Sequence, residues 1–448
     1  MRVKPEKYPF AGIKSGRLTF GGADVAAMAK KFGTPLYLFD EDGFRSRCKS
    51  FKTAFEREYG DVLVLFASKS LTTLAALAIA SDEGLGLDVA SMGELAGAER
   101  VGADMSKVVL HGSFKKEEEL ERAMKAGVGR IVLDSALEAD AADRAARRRG
   151  VKAKVMLRVT PGIEAHVHEM VQVGKLDSKF GVPLEGGAAK ELIGHIIKKR
   201  NLDFTGIHYH IGSQILETEP FRAAVARAAE FMSELKSEYG LTLRDLNIGG
   251  GYPVRYDSAQ AMVSEAKFAA AVCGALKKEL RERKLDAPRL MLEPGRGIAG
   301  PSGMTVYTIG PVKTIPGVRN YINVDGGLSD NPRPALYGSV YEAVVAERPL
   351  DRKGVKKYRV SGRHCETDTL ISEIELPDPK PGETLAVFST GAYNHSMSGN
   401  YNKFPRPATV LLRGGKPEVA VRRETEEDLY ACDTPPARLM KKCGKKKR

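Results

Sequence analysis

Eight short apolar runs recur along the first 300 residues at intervals of roughly 20 to 45 residues, and this spacing constrains the fold more than any other feature. They are "VLVLFASK" (62–69), "LGLDVAS" (85–91), "VVLHGS" (108–113), "RIVLDS" (130–135), "KVMLRVT" (154–160), "TGIHYHIGS" (205–213), "LRDLNIGGG" (243–251) and "RLMLEPGR" (289–296). Most are apolar on both faces, as strands buried in a parallel sheet are. Stretches rich in alanine, lysine and glutamate with helical periodicity lie between them, such as "SMGELAGAERVG" and "FRAAVARAAEFMSELKSEYG". Strand–helix alternation eight times over predicts an α/β fold, a (β/α)8 barrel. A doubly wound open sheet has the same alternation, because periodicity does not show closure.

Beyond Gly300 the texture changes. "MTVYTIGPVKTI", "NYINVDGGL", "KYRVSGRHC", "ETLAVFSTGAY" and "ATVLLRGGKPEVAVRRE" are β-rich and closely punctuated by Gly and Pro. The expected organisation is an N-terminal segment over 1–37, a barrel over 38–296, a C-terminal all-β domain over 297–435 and a basic disordered tail over 436–448. The early run "GRLTFGG" also reads as a strand, and it is expected to join the C-terminal β domain.

The chain of 448 residues is long enough for two or three domains. No apolar run approaches the roughly 20 residues that span a bilayer, and "MRVKPEKYPF" lacks the apolar core of a secretory signal. Five scattered cysteines with no CxxC pair support neither a disulfide framework nor a zinc site. A cytoplasmic location and no membrane partner are expected. The net charge of +13 invites a nucleic-acid reading, but the tail "KKCGKKKR" carries six of those charges and leaves +7 over 440 residues. A like-charge block repels itself and stays solvated, so no nucleic-acid partner is expected.

Polar residues sit where the apolar runs stop. The first ends in Lys69, the second in Asp88 and Ser91, and the third in His111; Arg158 sits near the end of the fifth and His210 near the end of the sixth. The seventh ends in Gly249, Gly250 and Gly251, and the eighth in Glu293, Pro294, Gly295 and Arg296. In a barrel these ends meet at one mouth, the C-terminal face where such folds place their sites. Three consecutive glycines let backbone N–H groups approach an anion closely. A strand-end lysine in the same mouth adds an amine that forms an imine with an aldehyde. Pyridoxal 5′-phosphate meets both demands. Partial desolvation at the mouth is expected to lower the pKa of Lys69.

The segments "FASKSLTTLAAL", "LGLDVASMGEL", "HEMVQVGKLDSKFG", "HYHIGSQI", "NIGGGY", "EPGRGIAG", "DGGLSDNPRPALYG", "CET" and "GAYNHSMSGNYN" occur in this order. Over residues 10 to 435 the sequence resembles the diaminopimelate decarboxylases, pyridoxal phosphate enzymes of the alanine-racemase-like fold type III. The resemblance implies decarboxylation of meso-2,6-diaminopimelate at its D-centre to L-lysine and CO2. It makes Lys69 the residue bonded to the cofactor and places Glu293 on the pyridine nitrogen, where a carboxylate keeps the ring a strong electron sink. Asp88 and His210 are implied to contact the cofactor, His210 by stacking. His208 reads better as a hydrogen-bonded core histidine. Ser213, Gly249, Gly250, Gly251, Gly295 and Arg296 are implied to hold the phosphate, and Tyr393 to contact cofactor and substrate.

The substrate has an amino-acid head at each end. Its far carboxylate calls for cations, and Arg296, Arg333 and Tyr337 are the candidates. Glu366 is the candidate for the far ammonium, and Cys365 for the proton donor. In the family the loop bearing these last two enters the site of a second subunit, which implies a homodimer with shared active sites. A related decarboxylase acting on another basic amino acid is the alternative. The chain departs from the family pattern at Thr367 in "CETDTL", and at Asn394 and Gly399 in "GAYNHSMSGNYN".

Overall fold

The computed structural model describes residues 3–163 and 178–440. Most of "HEMVQVGKLDSKFG" (168–177 of it) and the basic tail 441–448 lie outside the described residues.

All eight apolar runs are parallel strands, at Val62–Ala67, Gly86–Val89, Val108–Leu110, Arg130–Leu133, Ala153–Thr160, Leu202–His208, Asp245–Asn247 and Arg289–Leu292. Each pairs with the next. The eighth returns to the first, with Leu290 opposite Val62 and Leu292 opposite Val64. That last pairing closes the barrel and removes the open-sheet alternative. Leu65, Val109, Val132, Met156 and Met291 form a small apolar cluster contributed by five of the strands. A far larger cluster joins strands to helices.

Side-chain caps start the intervening helices where the strand-end loops stop. Thr73, Ser91, Ser135 and Ser264 accept from the backbone N–H groups of Ala76, Glu94, Glu138 and Lys267. Each satisfies an amide that would otherwise lack a partner. A loop that ends in a fixed cap holds the preceding strand end in place. Across the opposite end of the barrel, Arg130 donates to both oxygens of Asp245 at 2.8 and 2.9 Å, a buried bidentate pair joining the fourth and seventh strands.

The second unit is built on a long strand, Gly303–Ile315, and joins segments distant in sequence. Its inner neighbour is Leu36–Asp40, antiparallel to it and parallel to Ala408–Arg413. The boundary expected at 37/38 therefore falls inside a strand of this sheet, and the barrel unit begins with the helix Glu41–Tyr59. Leu36–Asp40 is buried at every position, so it needs sheet neighbours on both edges. The expected strand at "GRLTFGG" exists as Arg17–Phe20 but pairs within its own three-stranded sheet. Leu18 and Phe20 still pack into the core of the C-terminal unit. Among the described residues no helix is long and apolar enough to cross a membrane.

Candidate active site

A cavity of about 640 Å³ opens between the C-terminal ends of the barrel strands and the second unit. Of the expected residues, Lys69, His210, Ser213, Gly250, Gly251, Glu293, Gly295, Arg296, Arg333, Tyr337 and Tyr393 line it. Asp88 and Gly249 do not line it, but Asp88 lies 3.7 Å from Lys69 Nζ and Gly249 immediately precedes Gly250. Cys365 and Glu366 do not line it; both are exposed, and Glu366 accepts from Tyr401 Oη at 2.6 Å.

Lys69 lies in a short turn after the first strand, with Nζ 3.7 Å from the buried Asp88 carboxylate of the second. The Asp88 charge raises the Lys69 pKa, and burial only partly opposes it. This reverses the lowered pKa expected from desolvation alone, because a counter-charge on the neighbouring strand outweighs the loss of water. Asp88 Oδ2 has no hydrogen-bond partner among the described residues.

Glu293 is the hub of the cavity floor. Asn247 Nδ2 donates to Oε1 at 2.7 Å, His111 Nε2 lies 2.8 Å from the same oxygen, and His208 Nε2 is 3.3 Å from Oε2. Burial pushes the Glu293 pKa up, but the two imidazoles pull harder and hold it well below the ordinary carboxylate value. His208 is itself held to about 4 by burial, in keeping with a hydrogen-bonded core histidine. His210 is likewise kept neutral, by burial and then by the Lys69 charge. Its Nδ1 accepts from Gly250 N–H at 3.1 Å, which leaves the proton on Nε2.

The glycine loop combines shape with donors. Gly249 and Gly251 adopt positive φ, +68° and +112°. A Cβ on Gly250 would collide with the Glu293 carbonyl oxygen, and one on Gly295 would press on Ala67. Gly249 donates to Asn247 Oδ1 and Gly250 to His210, so these two amides shape the loop. Among the described residues the N–H groups of Gly251, Gly295 and Arg296 have no acceptor. Free amides, a serine, a reachable amine, an ionised carboxylate and a close glycine cradle together suit a phosphorylated aromatic aldehyde.

Two arginines complete the wall. Arg296 donates to Ser213 Oγ at 3.2 and 2.9 Å and to Tyr256 Oη at 2.6 Å. Arg333 donates to Tyr341 Oη at 2.8 Å and to Ser339 Oγ at 3.1 Å. Their guanidinium carbons lie 4.8 and 5.4 Å from the Tyr393 ring centre. Both arginines are buried, 7% and 5% exposed. Neither has a carboxylate partner among the described residues, although an unpaired buried charge is costly. Burial works against ionisation of Tyr256, yet the two guanidiniums lower its pKa.

Sequence reasoning gave no role to His111, Asn247 or Tyr256. His111 ends its strand as a site residue should, and Asn247 immediately precedes the glycine loop; those were the available signals. Tyr256 carried none, since its loop position shows only once the chain is folded.

The family described as pyridoxal-dependent decarboxylase, pyridoxal binding domain, matches residues 41–300. The chain is 39% identical over 421 residues to the diaminopimelate decarboxylase of Bacillus subtilis, covering 94% of this chain and 96% of that one. It is 38% identical to the Synechocystis enzyme of the same name, covering 95% and 92%. The crystal structure of diaminopimelate decarboxylase from M. jannaschii in complex with L-lysine is similar, with a TM-score of 0.91, 30% identity and coverage of 97% and 100%.

Proposed function

The chain belongs to the diaminopimelate decarboxylase family of pyridoxal-dependent decarboxylases, and from that premise we propose how its residues carry out the reaction. The activity is a carboxy-lyase reaction: meso-2,6-diaminopimelate loses the carboxylate at its D-centre to give L-lysine and CO2, the last step of lysine biosynthesis. Pyridoxal 5′-phosphate, when bound, supplies the electron sink for the pair of electrons left as CO2 departs.

Lys69 is the covalent attachment point, and Asp88 holds its amine in place across 3.7 Å. Glu293 takes the pyridine nitrogen. His111, His208 and Asn247 keep its carboxylate ionised and aimed, so it holds a proton at that nitrogen. His210 is the stacking partner, uncharged and fixed in one tautomer by Gly250. Ser213 and the amides of Gly251, Gly295 and Arg296 hold the phosphate, while Gly249 and Gly250 give the loop its close approach. Tyr393 lies against the two arginines and orients cofactor and substrate.

Substrate choice rests on Arg296, Arg333 and Tyr337. The observation that carries this reading is the pair of buried guanidiniums in the cavity wall without a carboxylate partner among the described residues. The far carboxylate of diaminopimelate supplies that partner. L-Lysine, ornithine and arginine, bound as substrates with their one carboxylate at the reacting end, have no second carboxylate to offer.

Cys365, the proton donor in this reading, and Glu366, which takes the far ammonium, reach the cavity of a second copy, so the working unit is a homodimer with shared sites. Their exposure outside the chain's own cavity supports this arrangement.

Arg333→Ala is expected to weaken diaminopimelate binding about 100-fold, the loss of a buried charge-assisted contact. The same variant should change binding of 1,5-diaminopentane, which lacks the far carboxylate that L-lysine retains, less than about threefold. Equal losses for both ligands, measured by competition, would contradict the far-carboxylate assignment.

A further inference from the structure

We propose that Asp368 and His364 form a clamp that positions two things at once: the Cys365 and Glu366 loop offered to the partner subunit, and the turn leading to Arg333 in the chain's own cavity. This rests on the shared-site reading above.

Cys365, Glu366 and Thr367 are exposed, yet the residues on either side are buried: His364 is 6% and Asp368 8% exposed. One Asp368 oxygen accepts from both His364 N–H at 2.9 Å and His364 Nδ1 at 2.7 Å, closing the three-residue loop at its base. Gly362 N–H adds a bond to the Asp368 carbonyl at 2.8 Å. Asp368 itself sits at φ +43°, a left-handed conformation that aspartate tolerates better than most residues.

The same two side chains reach a second segment. The other Asp368 oxygen accepts from Leu328 N–H at 2.7 Å. With Nδ1 as the donor toward Asp368, His364 Nε2 is an acceptor, and Ser329 N–H donates to it at 3.3 Å. Arg363 N–H is bonded to Gly326 O at 3.0 Å. Gly327 and Gly362 lie so close that a Cβ on either would collide with Asp368 Oδ2. The segment continues tightly: Asp330 Oδ2 accepts from Gly327 N–H at 2.8 Å, and Asn331 N–H donates to Gly327 O at 2.8 Å. Two residues further on, Arg333 enters the cavity wall. Ser329 O also accepts from Gly399 N–H at 2.8 Å, two residues from the cavity-lining Met397.

The His364 ring and the Asp368 carboxylate are therefore a single joint between a loop given to one site and a turn kept by the other. A displacement of either segment is felt by the second, because three of the joint's four side-chain hydrogen bonds are buried and the fourth is partly so. Asp368 and His364 are positioning residues and touch no reacting atom.

Hybrid dimers test the joint. A Lys69→Ala chain paired with a Cys365→Ala chain leaves one working site, made from the cavity of the second chain and the loop of the first. Recovery of activity by this unmodified pair is expected; its absence would overturn the shared site and the coupling with it, before Asp368 is changed. Asp368→Asn is then placed in one chain at a time, since an amide has one acceptor oxygen where the carboxylate has two, so either His364 or Leu328 N–H loses its acceptor. In the Lys69→Ala chain it acts on the donated loop and should lower kcat about tenfold with little change in KM. In the Cys365→Ala chain it acts on the Arg333 turn and should raise KM for meso-diaminopimelate about fivefold with little change in kcat. An active unmodified pair in which Asp368→Asn acts from only one chain, from neither, or identically from both would overturn the clamp while leaving the shared site intact. Should the Asp368→Asn chain fail to fold, His364→Gln is expected to give the same split, and its absence there would overturn the proposal equally.

Discussion

Lys69 shows how far a single residue can be read in advance. Its position at the end of a buried run was legible, because apolar runs and their stops are local sequence features. Its protonation was not. Asp88 ends the neighbouring strand, and only the barrel brings it within 3.7 Å and reverses the effect of burial. Lys69→Ala is expected to abolish the visible absorbance of the lysine-bound cofactor in purified protein; an unchanged spectrum would remove Lys69 from its role. Another residue-scale consequence concerns a histidine that does not line the cavity. His395 is held to about 4 against an ordinary 6.5 by burial first and then by Arg406. The unfolded chain binds that proton more readily between those values, so His395 costs stability as pH falls from about 6.5 towards 4. Urea midpoints at pH 7 and pH 5 should differ less in His395→Gln than in the unaltered protein. An equal difference would mean that His395 does not titrate in this way.

At the scale of elements, the eight runs became eight strands because most of their residues are buried on both faces, which leaves the sequence few alternatives. The glycine triplet was legible as a close-approach loop. Which of its amides face a ligand was not, because Asn247 and His210 compete for two of them in the folded state. Closure was equally hidden: it rests on the pairing of Leu290 with Val62, residues far apart in the chain. The same distance hides Leu36–Asp40, whose neighbours lie about 270 and 370 residues away, so its place in the second sheet could not be read locally. The Arg130–Asp245 pair ties the closed barrel together at the end away from the cavity. Asp245→Ala leaves a buried guanidinium unpaired and should cost about 3 to 5 kcal/mol in urea unfolding. A loss below about 1 kcal/mol would show that water or a rearranged neighbour satisfies Arg130.

At the scale of the molecule, the second unit does more than extend the barrel. It supplies Arg333, Tyr337 and Tyr393 to the cavity wall, and it carries Cys365 and Glu366 outward on a loop. Most of the residues proposed to hold the cofactor sit at the barrel strand ends, and two of the three proposed to choose the substrate, Arg333 and Tyr337, come from the second unit. The sequence motifs named both sets of residues, and the resemblance already implied that Cys365 and Glu366 serve a second subunit; that they stand outside this chain's own cavity is what the fold adds. The most direct measurement is CO2 release by the purified holoenzyme from meso-diaminopimelate, L-lysine, L-ornithine and L-arginine in parallel. The proposed pairing of the two buried guanidiniums with a far carboxylate predicts release from meso-diaminopimelate at a kcat/KM at least about 1,000-fold above the other three. Comparable release from lysine or ornithine would contradict that proposal.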